Sequence, residues 1–315
     1  MSLDPEVTAL LSLIEEHLPA LGSVPIDVYR GINGSLVSAM PPGPELHQVK
    51  DMDFAGPGGN LRLRLYVPQA VNPELVILYF HGGGWTVGDL DSHDAALRML
   101  AKDTGAALVS VDYRLAPEHP FPAAIDDAYA ALTWVSDALP HWFGSPLPLV
   151  VAGDSAGGNL SAVVSIMARD RQGPSITAQL LLYPSTAGCE FINSPHLSGE
   201  EPPFLRLSDI NWFFDQYVPD SATRRDPRFA PLLMDDLRGL PPTLVLTAQY
   251  DLLTAEGKTY SRRLNDAGTP CEFLCYDGTV HGFFSLAPAQ RQAVQARKDI
   301  SAFLKRVVGS TPVKS

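Results

Sequence analysis

One stretch constrains this chain more than any other: Gly153-Asp154-Ser155-Ala156-Gly157-Gly158-Asn159. It follows the apolar run Leu149-Val150-Val151-Ala152 and precedes a helix-compatible run ending near Arg169, so it reads as a strand, a sharp turn and a helix with serine at the apex. A nucleophile on so tight a turn takes strained backbone angles, and side chains two residues to either side would strike the neighbouring strand and helix. Gly153 and Gly157 remove both clashes. Such a turn presents the Ser155 hydroxyl at the carboxyl end of a sheet, with the N-terminus of the next helix aimed at developing negative charge. That geometry suits acyl transfer. A glycine-rich turn with no chemistry has the same five residues, so the rest of the chain must decide.

Apolar runs of strand length recur at Leu75 to Phe80, Ala106 to Val111, Leu147 to Ala152, Gln179 to Tyr183, Leu244 to Ala248 and Cys271 to Tyr276, alternating with helix-like segments. This is the pattern of a parallel sheet covered on both faces. Ahead of it, His47 to Phe54 and Leu61 to Val67 flank the turn Gly56-Pro57-Gly58-Gly59 and predict an antiparallel hairpin. Helical spacing is legible in Val7, Leu10, Leu11, Ile14 and Leu18, in Ile125, Ala128, Tyr129, Leu132 and Val135, and in Ala293, Ala296, Ile300, Phe303, Leu304 and Val307. Asp91 or Ser92 is expected to cap a helix reaching Lys102, and residues 19 to 45 read as loops with at most one short helix.

Residues 185 to 238 break the alternation, with many prolines, little strand character and the aromatics Phe191, Phe204, Trp212, Phe213 and Phe214. An insertion after a strand is where functional segments sit. The expected organisation is an α/β catalytic core at 46–185 and 239–315 and a discontinuous helical cap, or lid, at 1–45 and 186–238. No internal repeat is visible.

At 315 residues the chain can bury a large core, and its net charge of -12 argues against nucleic acid or an anionic membrane as partner. Arg224, Arg225 and Arg228 read as a solvated face or as local ion pairs rather than as a binding patch. The start of the chain has no basic region, and no apolar run approaches the length of a bilayer span, so a soluble cytoplasmic protein is expected. Cys189, Cys271 and Cys275 cannot form a disulfide framework and read as buried apolar thiols.

A serine hydroxyl needs a histidine base and an acid that orients it. Among eight histidines, His281 stands out because it follows a strand and lies in a glycine-flanked loop, Asp277-Gly278-Thr279-Val280-His281-Gly282. Asp251 is preferred over Asp266 and Asp277 because it follows the strand ending at Ala248. The order Ser155, Asp251, His281 is the one an α/β-hydrolase triad requires. An oxyanion cradle is expected in His81-Gly82-Gly83-Gly84-Trp85, with the amides of Gly83, Gly84 and Ala156 as donors. A phosphate loop would need a Lys-Ser/Thr after the glycines, which is missing. His81 reads as a hydrogen-bonding loop residue with no metal partner at a ligand-like interval. Trp85 is either core packing or a pocket wall. Asp154 tunes the elbow or caps the following helix, and capping is the simpler reading.

Taken together, His81 to Trp85 with Gly88, Asp112-Tyr113-Arg114-Leu115-Ala116-Pro117-Glu118-His119-Pro120-Phe121-Pro122-Ala123, Gly153 to Asn159, Asp226-Pro227-Arg228 and His281-Gly282-Phe283 resemble the hormone-sensitive-lipase-like family of microbial esterases, in the branch whose elbow reads Gly-Asp-Ser-Ala-Gly-Gly. The resemblance spans nearly the whole chain. It implies an α/β-hydrolase fold with an eight-stranded, mostly parallel sheet and a helical cap, no cofactor and no metal, and hydrolysis of short- to medium-chain acyl esters. It departs at Gln249-Tyr250-Asp251-Leu252-Leu253, where Glu-x-Asp-Pro-Leu is usual.

The expected function is therefore that of a serine carboxylesterase acting on a small-molecule ester, as a monomer or homodimer, with Trp85, Phe204, Trp212, Phe213 and Phe214 near the substrate. An amidase, peptidase or lactonase could use the same residues, a true lipase would act at oil-water interfaces, and a binding protein on this scaffold would tend to lose the histidine.

Overall fold

Prolines stand directly before three of the parallel strands, and their position explains how those strands begin. Pro148, Pro242 and Pro270 precede β5 (Leu149–Asp154), β7 (Thr243–Tyr250) and β8 (Cys271–Val280). Proline cannot donate to a ladder, but its carbonyl can open one. Those carbonyls accept from Val76, Gln179 and Thr243 at 2.9, 3.0 and 2.9 Å, tying each strand to its neighbour.

The computed structural model describes residues 3–69, 72–188 and 201–309. Its eight-stranded sheet runs in the order β1-β2-β4-β3-β5-β6-β7-β8, with β1 (Gln48–Gly56), β2 (Gly59–Val67), β3 (Val76–Phe80), β4 (Ala107–Asp112) and β6 (Ala178–Leu182) completing the set. The first two strands form the expected hairpin, and β2 pairs antiparallel with β4. From β4 to β8 every pairing is parallel.

The central strands are mostly apolar and buried at nearly every position because both faces are covered. Val76, Leu78 and Phe80 of β3 join Val151 of β5 in a core packed by α4 (Ala123–Phe143) and α5 (Ala156–Asp170). The alternate residues Ile77 and Tyr79, with Val150 and Ala152, face α3 (Asp94–Thr104) and α9 (Arg291–Gly309). Truncating any one of these aliphatic side chains to alanine costs about 2–5 kcal/mol. Gly105 and Gly144, with φ of 73° and 75°, end α3 and α4 in the left-handed cap that only glycine takes without strain.

Before the sheet lie α1 (Pro5–His17) and α2 (Ile26–Ala39). The second, 14 residues long, corrects the expectation of loops over 19–45. Its glycines at 31 and 34 hid a periodic row, Tyr29, Leu36, Val37 and Met40, and neither glycine is crowded, so each is tolerated in the helix. The helix after Ser92 is also different in detail: it starts at Asp94, and neither Asp91 nor Ser92 caps it, since Asp91 pairs with Arg64 and Ser92 closes a turn on Asp89. Between β6 and β7 the described part of the insertion carries α6 (Leu207–Tyr217) and no strand.

Cys275 is exposed and Cys271 half-buried, against the expectation of buried thiols, because both lie on the edge strand β8. Burial still pushes the Cys271 thiol up to about 11. Cys189 and Phe191 lie outside the described residues. Arg224, largely buried, pairs with Asp215 and Arg228 with Asp226, so local ion pairs are what these arginines make. Among the described residues no helix is long and apolar enough to cross a membrane.

Candidate active site

Ser155 occupies the turn between β5 and α5 with φ 55° and ψ -117°, a conformation that costs energy and persists because its surroundings fix it. Its amide donates to the Leu182 carbonyl of β6 at 2.8 Å. A Cβ on Gly153 would strike the Gly157 carbonyl, and one on Gly157 would strike the Phe80 carbonyl at the end of β3. The two glycines are thus required by close backbone approach. Elsewhere on α5 the serines turn inward, Ser161 donating to the Gly157 carbonyl at 2.9 Å.

The sheet topology sets β7 and β8 beyond β6, so their carboxyl ends open on the same edge as the elbow. Asp251 directly follows β7 and His281 directly follows β8. His281 Nε2 lies 2.8 Å from Ser155 Oγ, and His281 Nδ1 lies 2.8 Å from Asp251 Oδ2. The other Asp251 oxygen accepts the Leu253 amide at 2.9 Å, which fixes the carboxylate plane. Asp251 is fully buried, and the His281 ring rests edge-on against Tyr183 with centroids 4.8 Å apart. The departure at Gln249 leaves the loop intact: its side-chain carbonyl accepts the Gly278 amide at 2.7 Å, bracing the turn before His281. Asp266 and Asp277 take no part in this chain of bonds.

The glycine loop leaves β3 and reverses through positive φ at Gly83 (115°), Gly84 (58°) and Trp85 (57°). The Gly83 carbonyl accepts from Thr86 and Val87 at 3.0 and 2.9 Å, so the loop is closed on its own carbonyls. Among the described residues the amides of Gly83, Gly84 and Ala156 have no acceptor, and all three residues border the cavity that contains Ser155 and His281. His81 stacks on Tyr113 at 4.3 Å, and its Nδ1 lies 2.8 Å from the Gly82 carbonyl, as a loop-bonding residue should.

Asp154 does not cap α5. Its carboxylate turns back toward β3, where Oδ1 accepts from Tyr79 and from the Gly82 amide, each at 2.9 Å. Burial alone would raise this carboxyl, but the charge of His93 and the donors of His93 and Tyr79 bring it down to about 2. Burial and the Asp154 charge together push the Tyr79 hydroxyl well above its ordinary value, so it stays a donor.

The cavity over Ser155 measures about 520 Å³ and is mainly apolar. The α6 periodicity sends Ile210, Phe213 and Phe214 into it, and Phe204 joins them. Trp212 falls on the other side of α6, against Gly22, where a Cβ would come within 2.7 Å of the indole nitrogen, so its expected place in the pocket is corrected. Trp85 is buried in an aromatic cluster, stacked on Tyr217 at 4.7 Å, and only borders the cavity. Leu11 lines the cavity from the N-terminal helix expected to overlie the serine, but sequence reasoning missed the wall contributed by Leu36 and Met40 on or beside α2, and it missed Arg30 and His93. The 3.6-residue spacing of Tyr29, Leu36 and Met40 was the available signal.

Comparison with known proteins agrees with this geometry. The model of a family described as alpha/beta hydrolase fold matches residues 77–285. The carboxylic ester hydrolase LipN of Mycobacterium tuberculosis is 44% identical over 252 residues, covering 78% of this chain and 67% of that protein. An ethyl acetate hydrolase of Pseudomonas putida is 32% identical over 308 residues, 93% of this chain and 95% of its own. Among solved structures, the hyperthermophilic esterase from the archaeon Pyrobaculum calidifontis superposes with a TM-score of 0.88 at 36% identity, over 97% of this chain and 99% of that one. The chain belongs to the α/β-hydrolase fold family, among its hormone-sensitive-lipase-like carboxylesterases.

Proposed function

We propose that this protein is a serine carboxylic-ester hydrolase that works through an acyl-enzyme. The observation that carries the reading is the unbroken chain Ser155–His281–Asp251, each link 2.8 Å, beneath three amides without an acceptor among the described residues. His281 takes the Ser155 proton as the oxygen attacks the ester carbonyl. The amides of Gly83, Gly84 and Ala156 receive the charge that moves onto the carbonyl oxygen. His281 then protonates the departing alcohol, activates water against the acyl-serine and returns the proton to Ser155. Asp251 holds the ring in the tautomer that faces the serine and stabilises its cationic form.

The helices α1, α2 and α6 serve as the cap, at 1–45 and 186–238 around the core. Their apolar side chains line the chamber over Ser155, and its size supports short- to medium-chain acyl groups with little interfacial demand. The relatives named carboxylic ester hydrolase and ethyl acetate hydrolase point the same way.

Aryl esters of graded acyl length, each paired with its anilide, test this reading. The expected result is ester turnover that peaks at short to medium chains, slow anilide cleavage, no jump above substrate solubility, and loss of all of it in Ser155→Ala. Anilide rates matching ester rates would favour an amidase, and saturable binding without turnover a binding protein.

A further inference from the structure

His93 is buried beside the catalytic centre, and the mechanism above does not use it. It stands at the N-terminal boundary of α3, and one edge of its ring borders the cavity. Its backbone is held in place by the next residue: Asp94 accepts from Tyr66 and from Arg64, each at 3.1 Å, and pairs with Arg98.

Hydrogen-bond accounting fixes what each ring nitrogen does. Nδ1 lies 3.0 Å from Ser92 Oγ. The Ser92 hydroxyl donates to the Asp89 carbonyl at 2.9 Å, so its hydrogen is committed and Nδ1 donates to the Ser92 oxygen. Nε2 lies 3.1 Å from Asp154 Oδ1 and 3.3 Å from Oδ2. The Gly82 amide is 3.3 Å from that nitrogen but 2.9 Å from Asp154 Oδ1, and it takes the closer acceptor, leaving Nε2 to donate to the carboxylate.

Asp154 is joined to Ser155 by a peptide bond and to the glycine loop through Gly82. One carboxylate therefore sets the distance between nucleophile and oxyanion donors. Tyr79 and Gly82 hold Oδ1, while among the described residues Oδ2 has only Ser285 at 3.2 Å and Tyr183 at 3.5 Å besides His93. The imidazole straddles both oxygens and stops the carboxylate from rotating away from Gly82.

We propose that His93 is a positioning residue for the oxyanion loop: by clamping Asp154 it aims the amides of Gly83 and Gly84 at the point where charge develops. The inference rests on the ester-hydrolase reading. Because donors matter most in the transition state, the effect falls on kcat rather than on KM.

The test compares His93→Ala, His93→Gln and His93→Asn with the wild type on an aryl ester, with thermal melts of each. The glutamine amide reaches Asp154, whereas that of asparagine reaches only toward Ser92. In His93→Ala and His93→Asn kcat should fall about 10- to 100-fold, the scale of a misplacement near 1 Å, with KM within about twofold. His93→Gln should recover most of it. Affinity for a trifluoromethyl ketone, whose adduct with Ser155 carries an oxyanion, should fall by the same factor as kcat, while affinity for the matching alcohol stays constant. Wild-type kcat in His93→Ala, equal behaviour of the glutamine and asparagine variants, or parallel weakening of ketone and alcohol would each overturn the proposal. So would a His93→Gln protein that does not fold, because the bond to Asp154 is retained there. Turnover that survives in Ser155→Ala would instead sink the functional reading, independently of His93.

Discussion

Arg30 Nε on α2 donates to the Thr86 carbonyl at 2.9 Å, and so a helix that lines the cavity is bonded to the end of the glycine loop. The same guanidinium donates to the Ala116 carbonyl at 2.7 Å and grips the Glu118 carboxylate with its two terminal nitrogens, at 2.7 and 2.9 Å. The cavity wall and the glycine loop thus share one cation.

Arg30→Ala should destabilise the protein by about 1–3 kcal/mol, the scale of charge-assisted hydrogen bonds, and raise KM more than it lowers kcat as α2 loosens. Arg30→Lys should recover little, since an ammonium cannot reproduce the fork. Chemical denaturation and steady-state kinetics check both, and a lysine variant equal to wild type would contradict the clamp.

Gly84→Ala should lower kcat at least about 100-fold with KM changed only a few-fold, the cost of one misplaced oxyanion donor. Gly84 has φ 58°, and a Cβ there would run into the Phe213 ring, so the substitution moves the loop. Kinetics on protein shown to be folded by its melt decide this.

Phe213 and Phe214 are neighbours in sequence with opposite roles. Phe214 is buried, 5.0 Å from Phe229, so Phe214→Ala should cost about 3–5 kcal/mol of stability. Phe213 is half-buried against Gly84 and the cavity, so Phe213→Ala should cost less and shift kcat/KM toward bulkier acyl groups. An acyl-length series with unfolding midpoints separates the two.

Glu256, on α7 (Thr254–Asp266), accepts the Thr186 and Ala187 amides at 3.0 and 2.9 Å at the start of the cap insertion. Burial outweighs those two bonds and raises its carboxyl to about 8. Between the unfolded value of about 4.3 and that point, the folded state holds a proton the unfolded chain has released. Stability should therefore fall as pH rises through this window, and Glu256→Gln should flatten the decline. Urea midpoints from pH 5 to 8 measure the slope, and a wild-type midpoint that rises over that range would contradict it.

The sheet was legible in the sequence because its central strands are buried on both faces, which makes them mostly apolar and hard to mistake, whereas β1 at the edge is half exposed. The elbow and the bonded residues Ser155, His281 and Asp251 were legible because glycines and polar residues stand at strand ends, where burial alone would not put them. What stayed hidden depends on contacts between distant segments. The Gly-bearing helix α2 carries a wall whose purpose exists only once α6 lies opposite. Trp212 looked equivalent to Phe213 until the helix phase put it against Gly22. Asp154 followed the local rule for a cap, but a tyrosine, a histidine and a loop amide from other elements offered its carboxylate better partners than α5 did.

The central claim is that the Ser155 oxygen itself attacks the ester. The most direct test is stoichiometric labelling with a fluorophosphonate, read by peptide mass and by residual turnover. The account predicts one adduct, on the peptide containing Ser155, gained in step with the loss of ester hydrolysis and absent from His281→Ala over the same interval. Full labelling with activity intact, or an adduct on another residue that tracks the loss, would contradict it.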